Sequence, residues 1–160
     1  MLFLLATPEY NNVQANTTKV RVHLRSGVAE IFDQHQDLMG KVENNLIEIE
    51  TNFENRLEKF LFILQDAVFI VSNQGLEGTL DYKGTGVYVY AKKVLEISSN
   101  LSLDELSKKY EQKKLELESQ KEKINEKEEN KALNSKILLL QDETEFLRKS
   151  LITIKELKSA

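Results

Sequence analysis

The stretch Ile97-Ser98-Ser99-Asn100-Leu101-Ser102-Leu103-Asp104-Glu105 divides a chain of 160 residues into two parts of different composition. All six glycines and the single proline precede Ser98, and none follows it. Glycine and proline mark turns, so we expect short strands before this stretch and uninterrupted helix after it. The sequence therefore predicts two domains, residues 1–98 and 99–160.

The residues after the boundary have the pattern of an antiparallel two-helix hairpin. Ser102 and Glu105 form a capping box, in which each side chain accepts a backbone amide hydrogen of the first turn. Apolar residues then recur three or four positions apart, or at sums of these, in two stripes. The first helix is predicted to end near Glu129, and the chain to reverse over Asn130 to Asn134. The stripes are Leu103, Leu106, Tyr110, Leu117 and Ile124, and then Leu133, Ile137, Leu140, Thr144, Leu147, Leu151 and Ile154.

The residues before the boundary predict an antiparallel β-sandwich. Lys19 to Leu24 alternates polar and apolar residues, which on a strand places Val20, Val22 and Leu24 on one buried face. Four further segments are predicted as strands because they alternate or are apolar on both faces. They are Asn45 to Glu50, Leu57 to Leu64, Ala67 to Val71 and Val87 to Lys92.

Composition and charge narrow the classes of partner. The chain is 41% hydrophobic and 30% charged, as folded proteins are, and its net charge is −4. Residues 1–98 carry thirteen acidic against nine basic side chains, which favours protein partners over nucleic acid or an anionic membrane. We expect no membrane insertion, because the apolar start of the chain is interpreted as a first strand and Phe60 to Val71 is too short to span.

No catalytic or metal-binding motif stands out. The chain has no cysteine, so disulfides and thiolate chemistry are excluded, and its two histidines, His23 and His35, are not spaced as metal ligands. The paired carboxylates lie on the predicted helices, where a solvated charged face accounts for them. Lys83-Gly84-Thr85-Gly86 leads into a strand rather than a helix, which is typical of a turn and not of a phosphate-binding loop. We expect no enzyme activity and no cofactor.

The segment Lys83 to Tyr90, KGTGVYVY, matches half of an RNA-recognition signature. Thr85 and Val87 occupy positions where aromatic rings should stack on bases, and the helices of that fold are missing. An RNA-binding module is therefore the least favoured interpretation.

Several segments follow in order the pattern of one family. In Asn16 to Ile49, Gly27, Ile31 and His35 fall in step with a strand, an acidic glycine loop and an I-x-P-x-H-A-P-like segment. Glu58 to Val68 and Leu101 to Glu105 match a later strand and the start of the first C-terminal helix. The chain thus resembles the epsilon subunit of F-type rotary ATPases over most of its length. It departs from the pattern at Asp33, Asp37 and Asp66-Ala67, and in an inserted segment of about residues 74–86.

The resemblance implies a non-catalytic central-stalk subunit, cytoplasmic and peripheral on the membrane face as part of a complex. The sandwich would bind a γ-like shaft and the ring or adaptor below it, and the hairpin would contact an α/β-type catalytic hexamer. A family motif that helps to bind ATP keeps Leu103 and Asp104 but has Ser107 and Lys108 in place of arginine and alanine, so it is expected to be inactive. The expected partner interface is Ser26, Gly27, Val28, Phe32, Asp33, Gln34 and His35.

Two other hypotheses remain open at this point. The richness in Asn, Lys, Ile and Glu suggests an AT-rich genome and a specialised rotary ATPase, such as the mycoplasma forms, including those adapted to gliding. Alternatively, the chain is a coiled-coil adaptor with a β-sandwich docking domain unrelated to ATPases, because a hairpin with two apolar stripes can recruit other helices.

Overall fold

The computed structural model of the protein describes residues 1–75, 83–126 and 131–159, without the side chains of 124–126 and 131–133. The chain forms two compact units, Met1–Ser99 and Asn100–Ala160. The first is a β-domain of eight strands and the second a two-helix hairpin, which confirms the predicted fold class. Most of the predicted insertion, residues 76–82, lies outside the described residues.

The eight strands form one sheet. Its order is β2-β1-β8-β7-β6-β3-β4, and β5 pairs with β7 beside this path. All neighbouring strands are antiparallel except β1 and β8, which are parallel. The bounds are β1 Leu2–Ala6, β2 Asn11–Gln14, β3 Thr17–Leu24, β4 Gly27–Phe32, β5 Leu38–Val42, β6 Asn45–Phe53, β7 Arg56–Ser72 and β8 Gly86–Glu96.

Two strands near opposite ends of this sheet come together, so the sheet encloses a core. The amino terminus of Met1 donates to the carbonyl oxygen of Thr17 at 2.8 Å, and the Thr17 amide donates to the Met1 carbonyl at 3.1 Å. Three strands separate β1 from β3 in the sheet order, so these bonds require the sheet to curl over on itself. This closure gives the sandwich-like layers with a single interior.

The longest strand corrects one prediction. Leu57 to Leu64 and Ala67 to Val71 were expected to be separate strands, but both belong to the 17-residue strand β7. Asp66 lies inside it with a positive φ of 47°. Beside it, β5 and β6 follow one another along the same side of β7, with Val42 opposite Ala67 and Asn45 opposite Leu64. A charged residue with an unusual backbone interrupts the apolar pattern without ending the strand.

The interior of the β-domain is apolar. Val20, Val22, Ile47 and Ile49 are fully buried, as the alternation of β3 and β6 predicts. Each such side chain contributes about 1.5–3 kcal/mol when it is removed from water. The same cluster contains Phe3, Leu5, Ile31, Val42, Phe62, Leu64, Ala67, Phe69, Val71, Val87, Val89 and Ala91.

The second unit consists of α1 Leu103–Glu126 and α2 Lys131–Ser159. The Glu105 amide donates to Ser102 Oγ at 3.3 Å, so the serine caps α1 as predicted. The predicted reversal at Asn130 to Asn134 is wrong from Lys131 onwards, because those residues already belong to α2. Polar asparagines suggested a turn there, although Lys-Ala-Leu between them favours helix.

Both predicted stripes contribute buried side chains to the hairpin. Leu106 of α1 and Ile137, Leu140, Leu151 and Ile154 of α2 are buried. Phe146 and Ser150 are buried as well, although the stripe did not include them. The Ser150 hydroxyl tolerates burial because it donates to the Phe146 carbonyl at 2.6 Å.

An ion pair joins the two helices. Lys113 Nζ of α1 lies 3.0 Å from a carboxylate oxygen of Glu143 of α2. Its hydrogen bond to Glu143 raises the pKa of Lys113. The ion pair therefore helps to set the register of the hairpin. Of the helical residues that the structure describes, no segment is long and apolar enough to cross a membrane.

Candidate partner interface

The outward face of the β-domain carries charged side chains in two neighbouring rows. Residues of β3 alternate, so that Val20 and Val22 point inwards while Lys19, Arg21 and His23 point outwards. Opposite them on β6, Glu48 pairs with Arg21 and Glu50 with Lys19 in the strand register. A basic column on β3 therefore lies beside an acidic column on β6.

The charges of this face neutralise one another. Glu50 accepts from Lys19 at 3.1 Å and from Lys59 at 3.3 Å. Burial raises the pKa of Glu50, but the hydrogen bonds from the two lysines outweigh it and hold this pKa below its ordinary value. The carboxylate therefore stays charged over the neutral range.

Arg21 holds the second part of this network. It donates through Nε to Glu30 of β4 at 2.9 Å and lies 3.6 Å from Glu48 of β6. The hydrogen bond to Glu30 raises the pKa of Arg21 and lowers the pKa of Glu30. His23 Nε2 is hydrogen-bonded to Glu48 at 2.7 Å. A partner that covers this face meets paired charges, which are less costly to desolvate than unpaired ones.

The predicted interface residues lie at both ends of β4. Ser26 belongs to the turn before this strand, and Gly27 begins it with a φ of 144°. Val28, near the start, is 54% exposed, and Phe32, at the end, is 50% exposed. The two residues lie four positions apart along the strand, a distance of about 13 Å at ~3.3 Å per residue. The structure therefore places the predicted residues along a line rather than in one cluster.

That line forms a continuous surface at the edge of the sheet. Val28, Glu30 and Phe32 alternate onto the same outward face, and we name these three residues the β4 strip. Beside it, Arg21, His23, Val28 and Glu30 line a shallow groove of about 460 Å³. In the sheet of described strands, β4 is a terminal strand, so its outer backbone groups can pair with an added strand.

Hydrogen bonds from two distant residues hold the rest of the predicted interface. Asp33 and Gln34 form a turn after β4, and the Gln34 amide donates to Thr85 Oγ1 at 2.7 Å. The Thr85 hydroxyl donates to Asn73 Oδ1 at 2.7 Å, and Asn73 Nδ2 donates to the His35 carbonyl at 2.7 Å. Phe32 to His35 are thereby attached to the ends of β7 and β8.

Sequence reasoning missed Asn73 and Thr85. Asn73 also donates to Asp37 Oδ1 through its side chain at 2.8 Å and its backbone amide at 3.1 Å. A single carboxylate oxygen of Asp37 thus accepts both hydrogen bonds. Both residues lie in turn-like sequence, and no local pattern reveals such tertiary bonds.

The degenerate nucleotide motif lies at the start of α1. Leu103 is half-buried, Asp104 is exposed, and Asp104 and Glu105 give the first turn an acidic character. Carboxylates at a helix N-terminus stabilise the helix but repel phosphate. The expectation that this motif does not bind nucleotide stays a prediction.

Few of the described side chains are arranged for catalysis, metal binding or RNA binding. His35 Nδ1 is hydrogen-bonded to the Gln36 carbonyl at 2.7 Å, and His23 belongs to the charge network. Across the described ranges, no group of three or more His, Cys, Asp or Glu side chains could hold a metal ion. In the half-matched RNA signature, Thr85, Val87 and Tyr88 are buried, which leaves Tyr90 as the exposed ring of that segment.

The fold has known counterparts. The chain is similar to a chain in the mitochondrial ATP synthase of Euglena gracilis, in a structure of its OSCP, F1 and c-ring parts. The TM-score is 0.56 and the identity 11%, over 93% of this chain and 79% of the other. It is also similar to a chain in the central stalk and c-ring of the Tetrahymena thermophila mitochondrial ATP synthase. There the TM-score is 0.47 and the identity 8%, over 94% and 96% of the two chains.

The likeness in fold is not accompanied by a match in sequence. No family model matches the chain, and neither does any curated protein sequence. At 11% identity the Euglena gracilis likeness shows the fold alone, and it extends over 93% of this chain. The β-domain followed by a helical hairpin is thus a fold found within an ATP synthase assembly.

Proposed function

We propose that this chain is a non-catalytic, epsilon-like central-stalk subunit of an F-type rotary ATPase. The observation that carries the proposal is the likeness to a chain of the Euglena gracilis ATP synthase over 93% of the length. The order of family-like segments along the sequence supports the same subunit. In this role the chain needs no cofactor, and catalysis takes place in other chains.

The β-domain would bind a γ-like shaft through the β4 strip and the Phe32–His35 segment. Two exposed apolar side chains, Val28 and Phe32, flank a carboxylate that Arg21 already neutralises. Such a surface can be covered without leaving an unpaired charge. The Asn73 and Thr85 hydrogen bonds fix the adjacent segment before a partner arrives, which lowers the entropy lost on binding.

The wider assembly follows from the same role. A ring or adaptor would lie below the β-domain, the hairpin would contact an α/β-type catalytic hexamer, and the complex would lie at the cytoplasmic face of the cell membrane. With Ser107 and Lys108 at the altered motif positions, we favour a fixed brace over a nucleotide-gated switch. The specialised, gliding-associated motor that the composition suggested stays a prediction.

Purification of the tagged chain from its own cell tests this function. We expect it to bring down, in fixed ratio, chains that carry a Walker-type nucleotide motif together with ATP hydrolysis activity. The double variant Val28→Asp/Phe32→Asp should lose these chains. Val13→Asp is the matched control, because Val13 is also exposed but lies on β2 at the other edge of the sheet. Recovery of the tagged chain without any such ATPase chain would overturn the proposal.

Deletion of residues 100–160 separates two roles for the hairpin. If the helices restrain rotation, the purified complex should hydrolyse ATP faster without them. An unchanged rate with an intact complex would mean that the hairpin only braces the assembly.

The coiled-coil adaptor is the second candidate, favoured by one observation. Leu115 of α1 and Leu138 and Leu139 of α2 are exposed, and apolar side chains on a helical surface can pack against further helices. If the purification recovers helical proteins without a nucleotide motif, and Leu138→Glu/Leu139→Glu abolishes their recovery, this function replaces the first.

A further inference from the structure

A small polar cleft lies where the β2–β3 turn meets the β6–β7 hairpin. Its volume is about 210 Å³, and its walls include Gln14 and Asn16 on one side and Thr51, Asn52, Phe53 and Glu58 on the other. The Asn52 amide donates to the Asn16 carbonyl at 3.0 Å, which ties the two walls together. We name this feature the hairpin cleft. It is separate from the β4 strip, and none of its residues belongs to the proposed stalk interface.

The hairpin cleft contains a carboxylate that is open to a ligand. Thr51 is 3% exposed and lies directly opposite Glu58 in the register of β6 and β7, so both side chains lie on the same face of the hairpin. The Glu58 carboxylate has no ion pair or hydrogen bond among the described residues, whereas Glu50 has two lysine partners. Glu58 can therefore accept hydrogen bonds from a group that enters the cleft.

An exposed aromatic ring completes the lining. Phe53 is 58% exposed and lines the same cleft as Glu58. The ring's face attracts a cation, and its apolar surface suits the methylene stem of a long side chain. Residues 1–98, with thirteen acids against nine bases, also attract a positive group. These features together select a cation with a flat or apolar surface.

We propose that the hairpin cleft receives an arginine side chain of a partner protein. The guanidinium is planar, so it can stack on the Phe53 ring while its forked donors reach the Glu58 carboxylate. Its remaining N–H groups meet oxygen acceptors on Thr51 and on the amides of Asn16 and Asn52. A lysine would place one point charge there and use fewer of these acceptors. The proposal holds whether or not the chain is a stalk subunit.

One nearby cation could oppose this binding. Arg56 lies opposite Phe53 in the hairpin register and is exposed, but it does not line the cleft. Its charge weakens the attraction without blocking the cleft. Removal of that charge should therefore leave binding intact or strengthen it, whereas removal of the Glu58 charge should weaken it. The two substitutions should thus affect binding differently, although the residues lie only two positions apart.

A nuclear magnetic resonance titration of the full chain with N-acetyl-arginine-methylamide tests the site. We expect saturable shifts confined to the backbone amides of residues 14–16 and 51–58, with a dissociation constant on the order of millimolar for so small a probe. The capped citrulline, which has the same shape without charge, should give no saturable shifts. Capped lysine should bind more weakly than arginine.

Substitutions then assign the contacts. Glu58→Gln and Phe53→Leu should each weaken arginine binding about tenfold, the effect of a lost charge-assisted or stacking contact. Arg56→Gln should bind as well as the native chain or better. Both Glu58 and Phe53 are exposed, so the variants should fold, and unchanged amide signals of β3 and β8 check this. Equal shifts with arginine and citrulline, or binding unaffected by Glu58→Gln, would overturn the proposal.

Discussion

The two units differ in how completely they bury their apolar side chains. In the β-domain, Phe62 and Ile49 are among many residues with no exposed surface, and strands far apart in sequence surround them. In the hairpin, Leu106 is the one buried residue among the described side chains of α1, and Leu115, Leu138 and Leu139 are exposed. The difference predicts that the β-domain is stable by itself, whereas the hairpin alone is only marginally stable.

Separation of the two units should have the largest effect. We expect residues 1–99 alone to keep the cooperative unfolding and dispersed spectrum of a folded domain. Residues 100–160 alone should lose more than about half of their helicity, because helices with so small an apolar contact are marginal in water. Circular dichroism and thermal unfolding of both fragments measure this. An unfolded β fragment beside a cooperatively folded hairpin would reverse the comparison.

Truncation of buried side chains should have the second-largest effect. Phe62→Ala in the β-domain should lower the free energy of unfolding by about 3–5 kcal/mol, because it leaves a cavity between strands that cannot close. Ile137→Ala in the hairpin should cost about 2 kcal/mol, since two helices can move together. Phe53→Ala, at an exposed position, is the control and should cost less than about 0.5 kcal/mol. Urea unfolding gives all three values, and equal losses for Phe62 and Ile137 would contradict the distinction.

A close contact in the β-domain should give an intermediate effect. Gly40 lies opposite Phe69, and a Cβ added there would come within 2.5 Å and 2.8 Å of the ring carbons. Gly40→Ala should therefore destabilise the β-domain by about 1–3 kcal/mol. The second substitution Phe69→Leu should recover part of that loss in a double-mutant cycle. Additive losses would mean that the ring is not the obstacle.

The charged pairs should give the smallest effects, with opposite pH dependence. The pKa of Glu50 is lowered in the folded state. Its ion pairs therefore stabilise the fold at pH values above its ordinary pKa, and this stabilisation is lost as the pH falls through the pKa of the folded state. Glu50→Gln should cost about 1 kcal/mol at neutral pH and nothing in acid. The pKa of Lys113 is raised in the folded state. Its ion pair therefore stabilises the hairpin at neutral pH, and this stabilisation is lost as the pH rises through the pKa of the folded state.

Lys113 tests the helical side of this comparison. Its side chain is partly exposed, so screening reduces the expected cost of Lys113→Gln to about 0.3 kcal/mol. Unfolding experiments across pH measure both variants. A larger loss for Lys113→Gln than for Glu50→Gln at neutral pH would show that ion pairs matter more in the hairpin than in the sheet.

Local patterns in the sequence predicted the elements that obey them. Val20, Val22, Ile47 and Ile49 alternate because one face of their strands is buried, and Ser102 caps α1 because an amide there needs an acceptor. The same reasoning failed at Asp66, where a charged residue interrupts an apolar run but the strand continues. An exposed irregularity within a long strand resembles a strand end when only the sequence is read.

Features that depend on distant partners could not be predicted. The parallel pairing of β1 with β8 joins the two ends of the β-domain, and no local residue pattern specifies it. Asn73 and Thr85 hold the predicted interface segment through tertiary hydrogen bonds of turn-like residues. Val28 and Phe32 were chosen from a family pattern, and only the strand geometry shows that Glu30 lies between them on one face.

Electron cryo-microscopy of the particle purified through the tagged chain tests the central claim most directly. We expect density for the β-domain beside the central shaft, beneath a hexamer of nucleotide-binding chains, with β4 facing that shaft. Density for this chain at the periphery of such a particle, or in a particle that has no hexamer, would contradict it.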